Sequence, residues 1–420
     1  MIYLLLFLTE VVLLTLLEKK QWGHLMTPLN LLAWPYTIAV LMIAIYRLVE
    51  PDIPKFYYPS LIIWMIGLLL FEIPSFLIAT KTPVRFKRND FEISICKNDD
   101  YYKLLKQFAY FCIAISLFKI NSLTGSLDSF GSDEFSEQYQ TSGIFAHLSV
   151  VLSCIFSFAI YKLDSKHKSA YIVILGSLIG MYAVGTKSWI IAPILIGYYA
   201  RLMVGKNQIA IKTIIFPVIV VFFIFFFSYL LTLVYVGNND VSSDFFIFIC
   251  NHFVDYFCGG ALSLGIDFQK GFLEPQMSEA LFGPILNFIY MITGHSYVNV
   301  INPVFIDLGD LGEGNVRTFF GTIYAYSKSP LLFIIMSFVF SIYTNLLFSK
   351  SRSSISPFLL LANSANLVFL TFGFFDFYWL TLSCYEIPVI FLLMHYFLYK
   401  KSVNIRPIKL GINLKIKRRW

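Results

Sequence analysis

The chain of 420 residues is 58% hydrophobic and only 14% charged, with a formal net charge of +7 and a mean hydropathy of +0.72. A soluble domain carries about 25% charged residues, so this chain has too little polar surface to clothe a water-soluble globule. Its positive charges lie in short segments between apolar runs and in the tail, which argues against a nucleic-acid partner.

Apolar stretches of about 20 residues can cross a hydrocarbon core of roughly 30 Å as helices. In chain order the sequence predicts about eleven: 2–17, 25–46, 58–80, 104–120, 144–162, 171–184, 188–204, 213–236, 330–348, 357–375 and 380–398. The period-2 alternation of barrel strands is absent, so the expected fold class is all-α, a polytopic integral membrane protein. Lys19 and Lys20 follow the first segment and no base precedes it, which predicts an anchor with an external N-terminus, not a cleaved leader. Most cations then fall on one side, from Lys19 and Lys20 through Lys81, Lys162, Arg201 and Lys350 to the tail beyond Lys400. The opposite side holds only Arg47, Lys55, Lys187, Lys270, Arg317 and Lys328. That bias puts the C-terminus in the cytoplasm and agrees with an odd number of spans.

The expected divisions are eight spans in 1–236, a large external loop in 237–329, three spans in 330–398 and a basic tail in 399–420. The loop is rich in aromatics, and its apolar runs Phe245–Ile249 and Ala280–Ile292 are shorter than a span. They predict amphipathic helices on the bilayer surface, or a re-entrant segment. A second external loop, 121–143, carries Asp128, Asp133, Glu134 and Glu137 and no base. The six cysteines lack C-x-x-C spacing and read as small buried apolar residues.

With so few external cations, each is a candidate. Lys187, in Gly185-Thr186-Lys187-Ser188, is a snorkelling lysine at a turn or a cation for phosphate at headgroup depth. Arg317 follows Gly312-Glu313-Gly314, where glycines let the backbone approach a ligand, and an arginine can grip phosphate with two N–H groups; its alternative is an ion pair with Glu313 or Asp310. His252 and Asp255 share a helix face, although most such pairs are surface contacts. Asp376, amid aromatics, is a belt residue or a sugar-binding acid, and Glu10 and Glu72 are intramembrane acids without an obvious partner. These features suit an enzyme acting at the outer face on an anionic, lipid-linked carbohydrate.

Three stretches carry a likeness to a known family: Val184-Gly185-Thr186-Lys187-Ser188, Asp255-Tyr256-Phe257-Cys258-Gly259-Gly260-Ala261-Leu262 and Asn315-Val316-Arg317-Thr318-Phe319-Phe320-Gly321-Thr322-Ile323-Tyr324. In order, spacing and topology the chain resembles the O-antigen polymerases (the Wzy, or oligosaccharide repeat unit polymerase, family). It departs in having Lys187 where arginine is common and Arg317 where tyrosine is frequent. The resemblance implies a metal-independent membrane glycosyltransferase of the C type, without cofactor, in the bacterial inner membrane. Its substrate would be an undecaprenyl-diphosphate-linked oligosaccharide, and a chain-length regulator and a flippase would be partners. Arg317 and Lys187 would stabilise the leaving diphosphate. Asp255, His252 or His295 would be the base. Tyr256, Asn315, Thr318, Tyr324, Asp376 and Trp379 would bind sugar. The rivals are an O-antigen ligase, for which Gly294-His295-Ser296 is a thin match to a histidine motif, and a flippase or exporter of lipid-linked sugars, which would want cations along its cavity where this chain has only Lys106 and Lys119 within spans.

Overall fold

A computed structural model describes residues 1–48, 50–82, 99–123, 144–163, 169–182, 188–204, 219, 222–227, 229–230, 243–272, 276–354 and 356–400. The expected eighth span (213–236), the acidic loop, Lys187 and the basic tail lie wholly or largely outside these residues. The architecture is a bundle of apolar helices: α1 (Ile2–Trp22), α2 (Pro28–Tyr46), α3 (Leu61–Ala79), α4 (Asp99–Leu123), α5 (Ile144–Lys162), α6 (Ser169–Tyr182) and α7 (Ser188–Met203). Beyond the largely undescribed stretch come α8 (Ser243–Lys270), α9 (Gly283–Thr293), α10 (Phe319–Ser327), α11 (Pro330–Ser353), α12 (Pro357–Thr371) and α13 (Ser383–Met394). Among the described residues a single two-stranded antiparallel ladder, β1 (Ile306–Asp307) with β2 (Glu313–Gly314), interrupts the helices. By length and composition six helical segments can cross a membrane: Pro28–Tyr46, Tyr58–Ala79, Lys103–Leu123, Ile247–Lys270, Pro330–Ser353 and Pro357–Phe374. The chain is thus all-α but for that ladder, with the multiple apolar helices of a multi-pass membrane protein.

Local sequence fixes several helix starts in one way. Thr27-Pro28, Ser329-Pro330 and Ser356-Pro357 each put a hydroxyl at the N-cap and proline at the first helical position. The hydroxyls accept from the N–H groups of Asn30, Leu332 and Leu359. Proline spends no donor there, and its φ is already helical. Gly23, in the left-handed region at φ 66°, closes α1 by donating to the Lys19 carbonyl.

Helix α12 is the axis of the bundle, with every residue from Pro357 to Leu370 buried. It packs against α2, α7, α11 and α13; α3 lies along α11, α1 along α3, and α4, α5 and α6 form a further group joined through α5 to α7. One end of the bundle carries Lys19, Lys20, Arg352 and the Trp22–Thr27 turn; we call it the basic end. The other, the capped end, carries the C-terminus of α2, the start of α3 and residues 372–380 after α12, all covered by the segment from α8 to α10.

Two expectations change here. The run Phe245–Ile249 is part of one continuous 28-residue helix, α8. Although long enough to span, α8 leans on the capped end at two places: Tyr46 donates to Asn251, and Gly265 lies against Tyr57. Those contacts are about 21 Å apart along the helix, and between them the Cys258 thiol points at the Ala39 carbonyl. Between Asn251 and Cys258 it thus runs antiparallel beside α2, and at Gly265 it meets the segment before α3. Secondly, Cys250 on α8 is exposed, whereas Cys112, Cys154, Cys258 and Cys384 are buried as expected; all five are free. Cys250 stands on the face of α8 turned from the bundle, beside exposed Ile247 and Phe248. The other loop run, Ala280–Ile292, folds into a 3-10 turn and α9, with Ile285, Phe288, Ile289 and Ile292 exposed as an amphipathic helix requires.

The cap is wedged into the bundle by aromatic packing. Phe320 of α10 meets Trp64 edge-on at 5.0 Å and sits over Gly67 of α3, where an added Cβ would lie 2.5 Å from its ring. A methyl group at position 67 forces this buried ring to move. Gly67→Ala is expected to cost about 1–3 kcal/mol, read as a lowered melting temperature in detergent, and Phe320→Leu in the same chain should recover part of the loss.

Candidate functional site

The capped end gathers three segments far apart in sequence. Helix α8 presents Gly259 and Gly260, and Gly260 lets the Phe374–Phe375 backbone pass so closely that any Cβ would strike the Phe375 carbonyl. That carbonyl accepts from the Thr318 N–H at 3.1 Å. Thr318 holds φ 70° and ψ 170°, a region that side chains other than glycine's rarely enter. The Trp64 indole, donating to its hydroxyl at 3.0 Å, helps hold it there. One turn on, the Thr322 hydroxyl donates to Asp376 at 2.5 Å, and the Phe377 N–H donates to the same oxygen at 2.7 Å.

Arg317 precedes the strained threonine and has no exposed surface. Its Nε donates to Asp267, itself buried on α8. One terminal nitrogen reaches the carbonyls of Val316 (3.1 Å) and Gly314 (3.4 Å), and the other that of Val304 (3.2 Å). A guanidinium so placed ties α8 to the β1–β2 ladder and the start of α10. Its partner is Asp267, neither Glu313 nor Asp310. Sequence reasoning passed over Asp267 because fifty residues separate the two; the one available signal was that an arginine in an apolar context needs a counter-ion.

Of the other predicted residues, Asp255, Tyr256 and His252 cluster on α8. Tyr256 is 44% exposed and stacks on Phe375 at 5.8 Å with rings nearly parallel. His252 stacks on Phe248 and meets Tyr256 and Tyr229 edge-on. Asp255 is half-buried beside Gly259, where its Oδ1 would be 2.9 Å from an added Cβ. Asp376 is half-buried too. Burial holds its carboxyl above the ordinary value, against the opposing pull of Thr322, the Phe377 N–H and the Arg317 charge and backbone. Burial also pushes up the Tyr378 phenol, against the opposing effect of the Ser188 hydroxyl at the head of α7. Lys187 is outside the described residues, but its neighbour Ser188 thus belongs to the same end.

The remaining candidates lie elsewhere. Trp379 is fully buried among Phe319, Phe340, Phe369 and Phe377, a core residue and not an open sugar platform. Tyr324 packs on Phe272 and Phe333. The Asn315 side chain donates to the Asn302 carbonyl at 3.3 Å, bracing the ladder. His295 is exposed beyond α9 and contacts Thr293 and Tyr290 of that helix. Among the described residues no group of three His, Cys, Asp or Glu side chains converges as metal ligands.

A family model matches residues 52–405, which takes in α3 to α13 and every element of this site. The chain belongs to DUF6337, a family of unknown function. No curated protein and no solved structure matches it. The family's span leaves out α1 and α2, and it includes the cap and the axial helix.

Two outcomes follow from the geometry. Arg317→Ala strands a buried carboxylate and is expected to cost about 3–5 kcal/mol, whereas an Arg317→Met, Asp267→Leu pair should lose much less; melting of the purified variants in detergent measures both. For Asp376 the folded chain favours the protonated form, so its contribution to stability is present below about pH 4 and fades as the pH climbs through the raised value. Melting temperature should accordingly fall with rising pH in that window, and Asp376→Asn should flatten that part of the profile.

Proposed function

We propose that the chain is a membrane glycosyltransferase that polymerises undecaprenyl-diphosphate-linked oligosaccharide repeat units at the periplasmic face. The observation that carries this reading is the meeting, at one end of an apolar bundle, of the α8 segment Asp255–Gly260, the strained Thr318 corner and Asp376. Two of the three stretches that resemble the O-antigen polymerases supply those parts, and the third ends at Ser188, which touches Tyr378. The partly exposed Tyr256, backed by Phe375, offers a flat face to a sugar ring. Asp255 beside it is the candidate base for an acceptor hydroxyl.

The geometry redistributes the charged roles. The bonds from Arg317 to Asp267 and three carbonyls favour a positioning role at the Thr318 corner over direct contact with the diphosphate. Stabilising the departing diphosphate then falls to Lys187, as a point charge at headgroup depth. The exposed apolar face of α9 would rest in the bilayer beside the site, near the lipid tail of the substrate.

Surface polysaccharide from a host lacking this chain, resolved on a gel, tests the reading. The long ladder should collapse to core bearing one repeat unit. Complementation with Asp255→Asn at normal protein level should leave the collapse largely uncorrected, since a positioned base contributes about 10²–10⁴-fold to rate. Loss of even the single unit with lipid-linked polymer accumulating outside would indicate a ligase. Single lipid-linked units accumulating inside would indicate a flippase, and either result would sink the proposal.

A further inference from the structure

At the basic end of the bundle, far from the capped site, two carboxyl groups are buried against each other. Glu18, in the last turn of α1, has no exposed surface, and Glu72 of α3 has 6%. The two carboxyls belong to one contact between α1 and α3, since each accepts from a side chain of the other's helix. The Ser75 hydroxyl donates to Glu18 Oε1 at 2.5 Å and itself accepts from the Trp22 indole at 3.1 Å. The Gln21 amide donates to Glu72 Oε1 at 2.9 Å. Each Oε1 is thus supplied with a donor by the protein. The second oxygens, Glu18 Oε2 and Glu72 Oε2, are buried and receive no N–H or O–H from any other described group.

Two bare carboxylates side by side in an apolar interior repel strongly, whereas a proton on one removes a charge and offers a donor to the other's unsupplied oxygen. We propose that Glu18 and Glu72 share one proton, forming a buried proton-binding site that joins α1 to α3. The charged groups around it do not supply the missing donor. Lys19, Lys20 and Lys350 are exposed. Arg352 of α11 donates to the Trp22 carbonyl and lies over the Trp22 and Phe348 rings, and His24 is held by the Met26 N–H. Helix α2 contributes the neutral Thr27. The chain Trp22–Ser75–Glu18 and the pair Gln21–Glu72 thus meet where one exchangeable hydrogen is needed, and Arg352 links Trp22 to α11. This site stands independently of the glycosyltransferase reading.

Infrared spectra of the full chain in lipid nanodiscs at neutral pH test the assignment. The wild type minus Glu72→Gln difference should contain a protonated-carboxyl C=O band that shifts in D2O, and the wild type minus Glu18→Gln difference should contain the same band. Either replacement removes the shared proton, because the remaining carboxylate can accept from the new amide. A Glu10→Gln chain, which alters the half-buried acid two turns earlier in α1, should keep the band. If the wild type lacks it, or one of the two single variants retains it, the shared proton is refuted. If the wild type lacks the band and its melting temperature instead rises with added sodium or potassium, the site holds a metal cation and the proposal fails in that form. Both arms read the wild type directly, so a variant that fails to fold does not remove the test.

Discussion

An arginine withdrawn from water must find acceptors for its guanidinium, and at the capped end everything is arranged around that demand. Arg317 meets it with the Asp267 carboxylate and the carbonyls of Val304, Gly314 and Val316. In doing so it draws α8, the β1–β2 ladder and the start of α10 to one point. The next residue, Thr318, is left in a backbone region that costs of order 1–3 kcal/mol. It stays there because Phe375 and Trp64 bind it from two sides. Position, strain and charge are thus set by one buried pair, with Asp376 and the α8 face built outward from it.

The bundle below meets a related demand differently. Its axial helix α12 is buried on all sides yet carries Asn363, Ser364 and Asn366. Ser364 returns its hydroxyl to the Leu360 carbonyl, and Asn363 places its amide on the Met203 sulfur at 3.3 Å. Small and polar side chains allow close approach of helices where no hydrophobic force drives them together. At the basic end polar side chains again join two helices, Trp22 donating to Ser75, Ser75 to Glu18 and Gln21 to Glu72.

The apolar stretches were legible because a hydrocarbon interior demands continuous apolar runs. The described parts of α1 to α7 and of α11 to α13 fall close to the stretches expected. The site was only partly legible. Glycines at 259 and 260 marked a close approach, but not that the Phe375 carbonyl is what approaches. Trp379 and Asp376 were both candidates for binding sugar, yet one is sealed in the core and the other faces Thr322. Composition alone could not separate them, because burial there depends on helices that are neighbours only after folding.

The sequence by itself determined the class of solvent, the positions of most helices and the proline-capped starts, since each depends on residues within about a turn or on a run of uniform hydropathy. The tertiary structure alone decided that α8 packs beside α2, that Arg317 answers to Asp267 and that Glu18 and Glu72 share one contact between α1 and α3. Those pairings join residues fifty or more positions apart. They are chosen by which polar groups are left without water once the helices pack, and no local pattern records that.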